Sequence, residues 1–123
     1  MLKDYFIDKV LATTVVGSYP VVKGSGLRSL FDTLQTAVET AVADQIAAGI
    51  DIISDGQVRG DMIQAFASKL PGIKGQEVIG KVQPASGPIT VGDTKYTLTK
   101  SPNVKGIITG PSTLAHGLHI STP

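Results

Sequence analysis

The chain has 123 residues, of which 41% are hydrophobic and 17% charged, and this composition fits one small globular domain. Its formal net charge is +1, which gives no electrostatic reason to expect a nucleic acid or an anionic membrane as a partner. No apolar run is long enough for a membrane-spanning helix, the first residues do not form a secretory signal, and no Cys is present for a disulfide or a thiolate metal site. A cytoplasmic protein is therefore expected.

The first half of the chain predicts a strand, a helix and a second strand. The apolar run LATTVV predicts a strand near 12–16 that is buried on both faces, as in a parallel sheet, and that ends at the turn-forming run GSYP. A second such strand is predicted near 50–54, ending at Asp55 and Gly56, so the three elements form a βαβ unit. The helix between them is expected to end at Gly49. Its apolar stripe recurs every four residues and is widened by three further side chains: Leu30, Leu34, Val38, Val42 and Ile46, with Phe31, Ala41 and Ala48.

The second half changes character. A shorter helix is predicted from 61 to 70, with Met62, Ile63 and Phe66 on its apolar face. Between 73 and 100, glycines separate short β-branched runs, including 88–91 and 96–99, and this pattern predicts a β-hairpin excursion from the main layer. The run VKGIIT then predicts a third buried strand near 104–109.

Each predicted strand ends in a polar loop that contains glycine, and ligands of parallel α/β folds bind at the carboxyl ends of strands. The Gly17–Ser18 turn could present backbone N–H groups to a carboxylate, or be only a strand exit. Asp55 could act as a base or bind an amine, but Asp at such a position is as often a turn or capping residue.

Two further groups of side chains are weaker candidates. Arg59 and Asp61 flank a glycine and can form a local ion pair that contributes little to stability. His116 and His119 have the i, i+3 spacing of a shared metal site, but with no third ligand nearby they are more readily interpreted as ordinary histidines near a chain terminus.

Four segments in order resemble the catalytic domain of the cobalamin-independent methionine synthase family, particularly its short archaeal branch. They are TTVVGSYP at 13–20, GIDIISDGQVRGDM at 49–62, PITVGD at 88–93 and VKGIITGPST at 104–113. The resemblance implies a (β/α)₈ TIM barrel. On this basis, the α/β chain is expected to be a truncated barrel that consists of the first three βα units, with the hairpin as an insertion. Residues 1–123 would form a single partial domain.

The resemblance also implies a chemistry. In the family, zinc binds the thiol of homocysteine and activates it as a thiolate that accepts a methyl group to give methionine. By position, Val16, Gly17 and Ser18 would hold the homocysteine carboxylate. Gln57 stands where the larger enzymes have a Glu that meets the amino group; its neutral amide would make that hydrogen bond without charge assistance.

Two departures concern the methyl donor. Gly117 stands where the folate-using enzymes place an aromatic ring against the pterin, and Gln83 stands where they have an Arg. Both changes argue against a polyglutamylated folate. A methylcorrinoid, or a corrinoid protein that delivers it, fits the archaeal resemblance better.

The family's zinc ligands, a His, two Cys and usually a Glu, belong to later strands, so this chain is expected to lack the zinc site and any catalytic residue of its own. Three strands of a barrel leave an open edge, which predicts a homo-oligomer or a missing C-terminal partner. The leading hypothesis is a fragment of a homocysteine methyltransferase. The alternatives are a noncatalytic oligomeric or small-ligand-binding remnant and, as a weaker match, a barrel of the uroporphyrinogen decarboxylase type.

Overall fold

The computed structural model describes residues 11–22, 27–30 and 34–121. These residues group into two compact units, one running up to Val58 and including Gly92–Ile107, the other comprising Arg59–Val91 and the residues from Ile108 onward. Phe31, which belongs to the predicted apolar stripe, lies outside the described residues. No helix of the described ranges is long and apolar enough to cross a membrane.

The elements are short apart from one helix. In chain order they are a 3₁₀ turn at Leu27–Leu30, α1 (Gln35–Ala47), α2 (Gln64–Ala67), β1 (Ile73–Lys74), β2 (Glu77–Val78), α3 (Val91–Leu98), α4 (Pro111–His116) and β3 (His119–Ile120).

Helix α1 supplies most of the core of the first unit. Its buried residues recur at helical spacing, and they are Ala37, Val38, Ala41, Val42 and Gln45. The predicted stripe is therefore partly wrong: a spacing of four residues drifts around a helix of 3.6 residues per turn, and Ile46 at its end is 43% exposed. Gln45 occupies the buried position instead.

The end of α1 is confirmed at the predicted glycine. Gly49 has a φ of +75°, in the left-handed region that favours glycine. Its N–H donates to the Ile46 carbonyl at 3.0 Å, and the N–H of Ile50 donates to the Gln45 carbonyl at 3.1 Å. This pair of hydrogen bonds is the Schellman motif, and it directs the chain from the helix into the next extended segment.

The three predicted strands of the main layer lie side by side and run parallel, as expected, but they are joined only by isolated bridges. One bridge pairs Thr14 with Ile52, and the other pairs Ile53 with Val104. We call the segments around these bridges the first, second and third segments. The second segment lies between the other two. Burial on both faces was a wrong prediction for the first segment, because Val16 is 96% exposed.

Side chains take over the hydrogen bonds that would extend the ladder. At one end, the Asp51 carboxylate accepts from the Thr13 N–H at 2.8 Å and from the Thr13 hydroxyl at 2.9 Å. At the other end, the Gln45 amide binds both backbone groups of Ser54: Oε1 accepts from the Ser54 N–H, and Nε2 donates to the Ser54 carbonyl, each at 2.9 Å. The bridges are short because the side-chain partners replace the neighbouring strand.

Gln45 is 4% exposed and Ser54 is 1% exposed, so these hydrogen bonds are shielded from water. The Gln45 amide also donates to the Ala41 carbonyl at 2.9 Å. Every buried side-chain N or O atom in the described ranges has a hydrogen-bond partner. The polar residue is therefore accommodated in the core without an unsatisfied group, which would be costly there.

The predicted hairpin over 73–100 is wrong in its second half. β1 and β2 do form an antiparallel pair, with Ile73 opposite Val78, but the run at 96–99 belongs to helix α3 and the turn after it. Thr97 is fully buried, its hydroxyl donates to the Asp93 carbonyl at 2.8 Å, and Tyr96 packs on the α1 core. Burial on this helical face overrides the β propensity of the sequence.

The β1–β2 pair belongs to a three-stranded sheet, and the sequence did not predict its third strand. β3 pairs in parallel with β2, so the order is β1–β2–β3. The helix predicted over 61–70 is reduced to α2, flanked by turns, with Phe66 buried and Met62 exposed. A Pro-Gly pair at 71–72 follows this part, and Gly72 has a φ of +95°.

We predict that Gln45→Leu lowers the free energy of unfolding by about 2–4 kcal/mol, because it leaves the N–H and the carbonyl of Ser54 buried without partners. Urea denaturation followed by circular dichroism measures the change, with Gln76→Leu, at an exposed position, as the control. A loss no greater than that of the control would contradict the role assigned to Gln45.

Candidate functional site

Two turns at the same end of the parallel segments form the candidate site. The first segment leads into the turn at 17–20, and the second segment leads into the turn at 54–57. The N–H of Tyr19 donates to the Gly56 carbonyl at 2.8 Å, which fixes the two turns beside each other. The ends of the first two segments thus meet in a direct backbone contact.

The turn at 54–57 is held in an uncommon conformation. Gly56 has a φ of +83°, and Gln57, which is not a glycine, has a φ of +49°. The Ser54 hydroxyl accepts from the Gly56 N–H at 3.1 Å, and Asp55 Oδ1 accepts from the Gln57 N–H at 2.9 Å. A left-handed backbone at a residue such as Gln57 persists only where its surroundings impose it, and such positions cluster at functional sites.

Gly56 also allows the turn to approach helix α1. A Cβ at this position would lie 2.5 Å from the Ala41 Cβ, which is too close for any side chain. Asp55 is buried and its carboxylate supports the turn, so the capping interpretation of this residue is the one its contact favours. Gln57 is half-buried.

The turn at 17–20 presents open backbone. Gly17 has a φ of +93°, and Val16, Gly17 and Ser18 are exposed. No residue of the described ranges accepts a hydrogen bond from the Gly17 N–H. In a regular parallel ladder, that N–H would donate to the Ser54 carbonyl, which the Gln45 amide already occupies. Within the described ranges, the Gly17 N–H is therefore left without a hydrogen-bond partner.

A cavity of about 350 Å³ adjoins this turn. Its lining combines the turn with one side of α1 and the second segment: Val15, Val16, Gly17, Ser18, Tyr19, Pro20, Asp44, Gln45, Ala48, Ile50, Ser54 and Gly56. The Tyr19 hydroxyl donates to the Asp44 carboxylate in the wall of the cavity. This hydrogen bond, followed by burial and by the charge of Asp44, raises the pKa of Tyr19 above its ordinary value of 10.0.

The remaining predicted site residues belong to the second unit. Asp61 Oδ1 accepts from the N–H groups of Ile63 and Gln64 at 2.8 and 2.7 Å, so its carboxylate caps the start of α2. His116 ends α4, where its Nδ1 lies 2.8 Å from the Ser112 carbonyl oxygen. Arg59 is exposed. The contacts of Asp61 and His116 are those of local structure.

Gly117 lies against another side chain of the second unit. A Cβ at Gly117 would lie 2.6 Å from Ile63 Cδ1, so a larger side chain does not fit there unless Ile63 moves. The absence of an aromatic ring at this position is thus matched by the packing around it.

The residues do not fit a zinc site of the kind that the resemblance implies. The sequence has no Cys, and the described ranges contain no group of three or more His, Cys, Asp or Glu side chains that could hold a metal ion. Soft thiolate ligands, which such a site uses, cannot come from this chain.

Sequence reasoning missed the side chains that shape the site. Gln45 and Asp44 lie on α1, and the sequence assigned them only to a helix. The one sequence signal for a buried polar contact was that residue 45, a glutamine, continues the helical spacing of the apolar positions 38, 41 and 42.

Comparison with known proteins agrees with the fold and the motifs. The profile of the family described as "Cobalamin-independent synthase, Catalytic domain" matches residues 11–120. The chain belongs to this family.

The chain is also similar to individual methionine synthases, both in sequence and in structure. The chain is 42% identical to a methionine synthase of Methanocaldococcus jannaschii, covering 91% of this chain and 41% of that protein. It is 40% identical to a methionine synthase of Methanothermobacter marburgensis, covering 89% and 42%. A B12-independent methionine synthase of a Shewanella species, solved in complex with selenomethionine, superposes with a TM-score of 0.77 at 23% identity, covering 92% of this chain and 42% of that one.

The chain thus spans about two-fifths of the length of the relatives it matches. Its α/β fold is similar to the corresponding part of a methionine synthase, a member of the TIM-barrel class. The family is described as cobalamin-independent, which weighs against the methylcorrinoid donor that the sequence favoured.

We predict that the absorbance of Tyr19 titrates with a midpoint above pH 10.0, measured in a Tyr5→Phe, Tyr96→Phe background. The raised pKa means that the hydrogen bond to Asp44 contributes stability in full below pH 10.0 and loses that contribution as the pH rises through the raised pKa. Asp44→Asn should move the midpoint toward 10.0, and Asp93→Asn should leave it unchanged. An unsubstituted midpoint at 10.0 would contradict the contact.

Proposed function

We propose that this chain carries the part of a methionine synthase-type homocysteine methyltransferase that binds the amino-acid end of homocysteine or methionine. The observation that carries the proposal is the available N–H of Gly17 beside Ser18, joined by the Tyr19–Gly56 hydrogen bond to the turn of Gln57. Membership of the family supports the assignment of these residues to an amino-acid substrate.

The chemistry of an α-amino acid suits these groups. Its carboxylate accepts hydrogen bonds from a backbone N–H and from a hydroxyl, which Gly17 and Ser18 supply, and Val16 belongs to the same exposed turn. Its ammonium group donates to an amide oxygen, which Gln57 supplies from a constrained backbone. Because Gln57 is neutral, we expect weaker binding of the ammonium group than a carboxylate would give.

The supporting relatives point to the same class of ligand. The Shewanella protein was solved with selenomethionine, an analogue that differs from methionine only at the chalcogen. We assign the three parallel segments of this chain to the first three βα units of the same barrel. Transfer of the methyl group is proposed for the whole protein, and no step of it is assigned to a side chain of this chain.

We also propose that the chain associates with a second polypeptide, which is the property shared by the methyltransferase fragment and by a noncatalytic oligomer. Several large apolar side chains are mostly exposed, among them Leu11 at 87%, Val16 at 96% and Ile108 at 82%. Apolar side chains with this degree of exposure favour association. The open edge that three strands of a barrel leave favours it as well.

Methionine is expected to bind weakly, and two substitutions should change its affinity in opposite directions. Ser18→Ala should weaken binding by about 1 kcal/mol, the usual net value of one hydrogen bond, and Gln57→Glu should strengthen it by adding charge to the contact with the ammonium group. Ligand-observed NMR measures the effect, with Ser86→Ala and Gln76→Glu as matched controls at exposed positions. Binding that ignores both site substitutions would locate the amino-acid site elsewhere, and no binding to the unsubstituted chain would favour the noncatalytic alternative.

Sedimentation velocity at low micromolar concentration should show a dimer or a larger species. Replacing Ile108 by a charged residue (Ile108→Lys) should shift the distribution toward the monomer, because it removes apolar surface and adds repulsion. A monodisperse, stable monomer of the unsubstituted chain would contradict the association.

A further inference from the structure

We propose that Lys105 positions the Val16–Gly17–Ser18 turn and makes it selective for a carboxylate over a neutral group of the same shape. The inference rests on the proposed amino-acid site and deepens it. It assigns a role to a side chain of the third segment that the site described above does not include.

Lys105 reaches across the layer of parallel segments. Val104, its neighbour, packs on the α1 core, and side chains of an extended segment alternate between its two faces. Lys105 therefore lies on the face away from α1, where it is half-buried. From there, its Nζ donates a hydrogen bond to the Val15 carbonyl of the first segment, passing over the second segment that lies between them.

The Val15 carbonyl can accept a hydrogen bond from Lys105 because the ladder between the first and second segments is interrupted at Ser54. The N–H of Ile52 donates to the Thr13 carbonyl at 3.0 Å, and in a regular parallel pair the next such bond would run from the Ser54 N–H to the Val15 carbonyl. The Ser54 N–H donates to Gln45 instead. Lys105 thus replaces a strand partner at the last peptide group before the turn.

This contact acts on the turn in two ways. The Val15 carbonyl and the Val16 N–H belong to one peptide group, so a cationic donor on the carbonyl orients that group and polarises the N–H toward an acceptor. The ammonium charge also lies one residue before the exposed backbone of Gly17, where it favours an anion by electrostatic attraction. A neutral ligand benefits from the oriented Val15–Val16 peptide group but is attracted only weakly by the ammonium charge.

A purely structural role is the alternative, and ligand charge separates the two. The experiment compares methionine with methioninamide, whose carboxamide replaces the carboxylate, by titration of the ¹⁵N-labelled protein. The variants are Lys105→Met, which keeps an unbranched stem but loses the charge, and Lys105→Arg, which keeps the charge and donors. Lys100→Met is the matched control, since Lys100 is exposed and its Nζ lies 5.7 Å from the centroid of the Tyr96 ring.

We expect Lys105→Met to weaken methionine binding by about tenfold or more, which is the scale of one charge-assisted interaction, and to weaken methioninamide binding much less. Lys105→Arg should restore most of the preference for methionine, and Lys100→Met should not alter it. An equal loss for both ligands, or no loss, would overturn the selectivity assigned to Lys105.

A second readout needs no ligand. Loss of the hydrogen bond on the Val15 carbonyl should shift the amide resonance of Val16 in Lys105→Met and not in Lys100→Met. If the unsubstituted protein binds neither ligand, the proposed function and the selectivity fail together, while a Val16 shift still supports positioning by Lys105. An unchanged Val16 resonance would overturn the positioning, whatever the outcome of the titrations.

Discussion

The hydrogen bonds between the Gln45 amide and the backbone of Ser54 are the constraint on which the candidate site depends. A primary amide offers one acceptor and two donors, so it can replace a strand at both the N–H and the carbonyl of one residue. Because Gln45 lies on α1, the second segment forms hydrogen bonds to a helix side chain at Ser54, where it would otherwise pair with the first segment. The first segment therefore makes no ladder hydrogen bonds to Ser54.

Without these ladder hydrogen bonds, two backbone groups of the first segment and its turn can bind other partners. The Val15 carbonyl accepts from Lys105, and Gly17 is exposed at the turn with no acceptor for its N–H in the described ranges. The left-handed backbone of Gly17, Gly56 and Gln57 is concentrated at the same end of the segments, and the Tyr19–Gly56 hydrogen bond holds the two turns together. The turn that we propose to bind an anion thus lies where the regular ladder stops, which is where parallel sheets bind their ligands.

The sequence predicted the features that depend on local patterns. Continuous apolar runs located the three parallel segments, and Gly49 located the end of α1, because a left-handed residue there requires glycine. Residues 96–99 were assigned to a strand because Thr and Tyr favour strands, whereas the fold buries Thr97 on a helix. The exchange of hydrogen-bond partners at Ser54 could not be predicted either, since it joins side-chain and backbone groups of separate elements. In the sequence, Gln45 looks like one more polar residue on a helix.

Amide hydrogen exchange of the ligand-free protein tests the interrupted ladder most directly. We expect the Ser54 N–H to be strongly protected, because it is bound by the buried Gln45 amide. We expect the Gly17 N–H to exchange rapidly, because Gly17 is exposed and its N–H has no acceptor in the described ranges. Protection of the Gly17 N–H to the level of the Ser54 N–H would mean that the ladder continues, and would contradict the exchange of hydrogen-bond partners at Ser54.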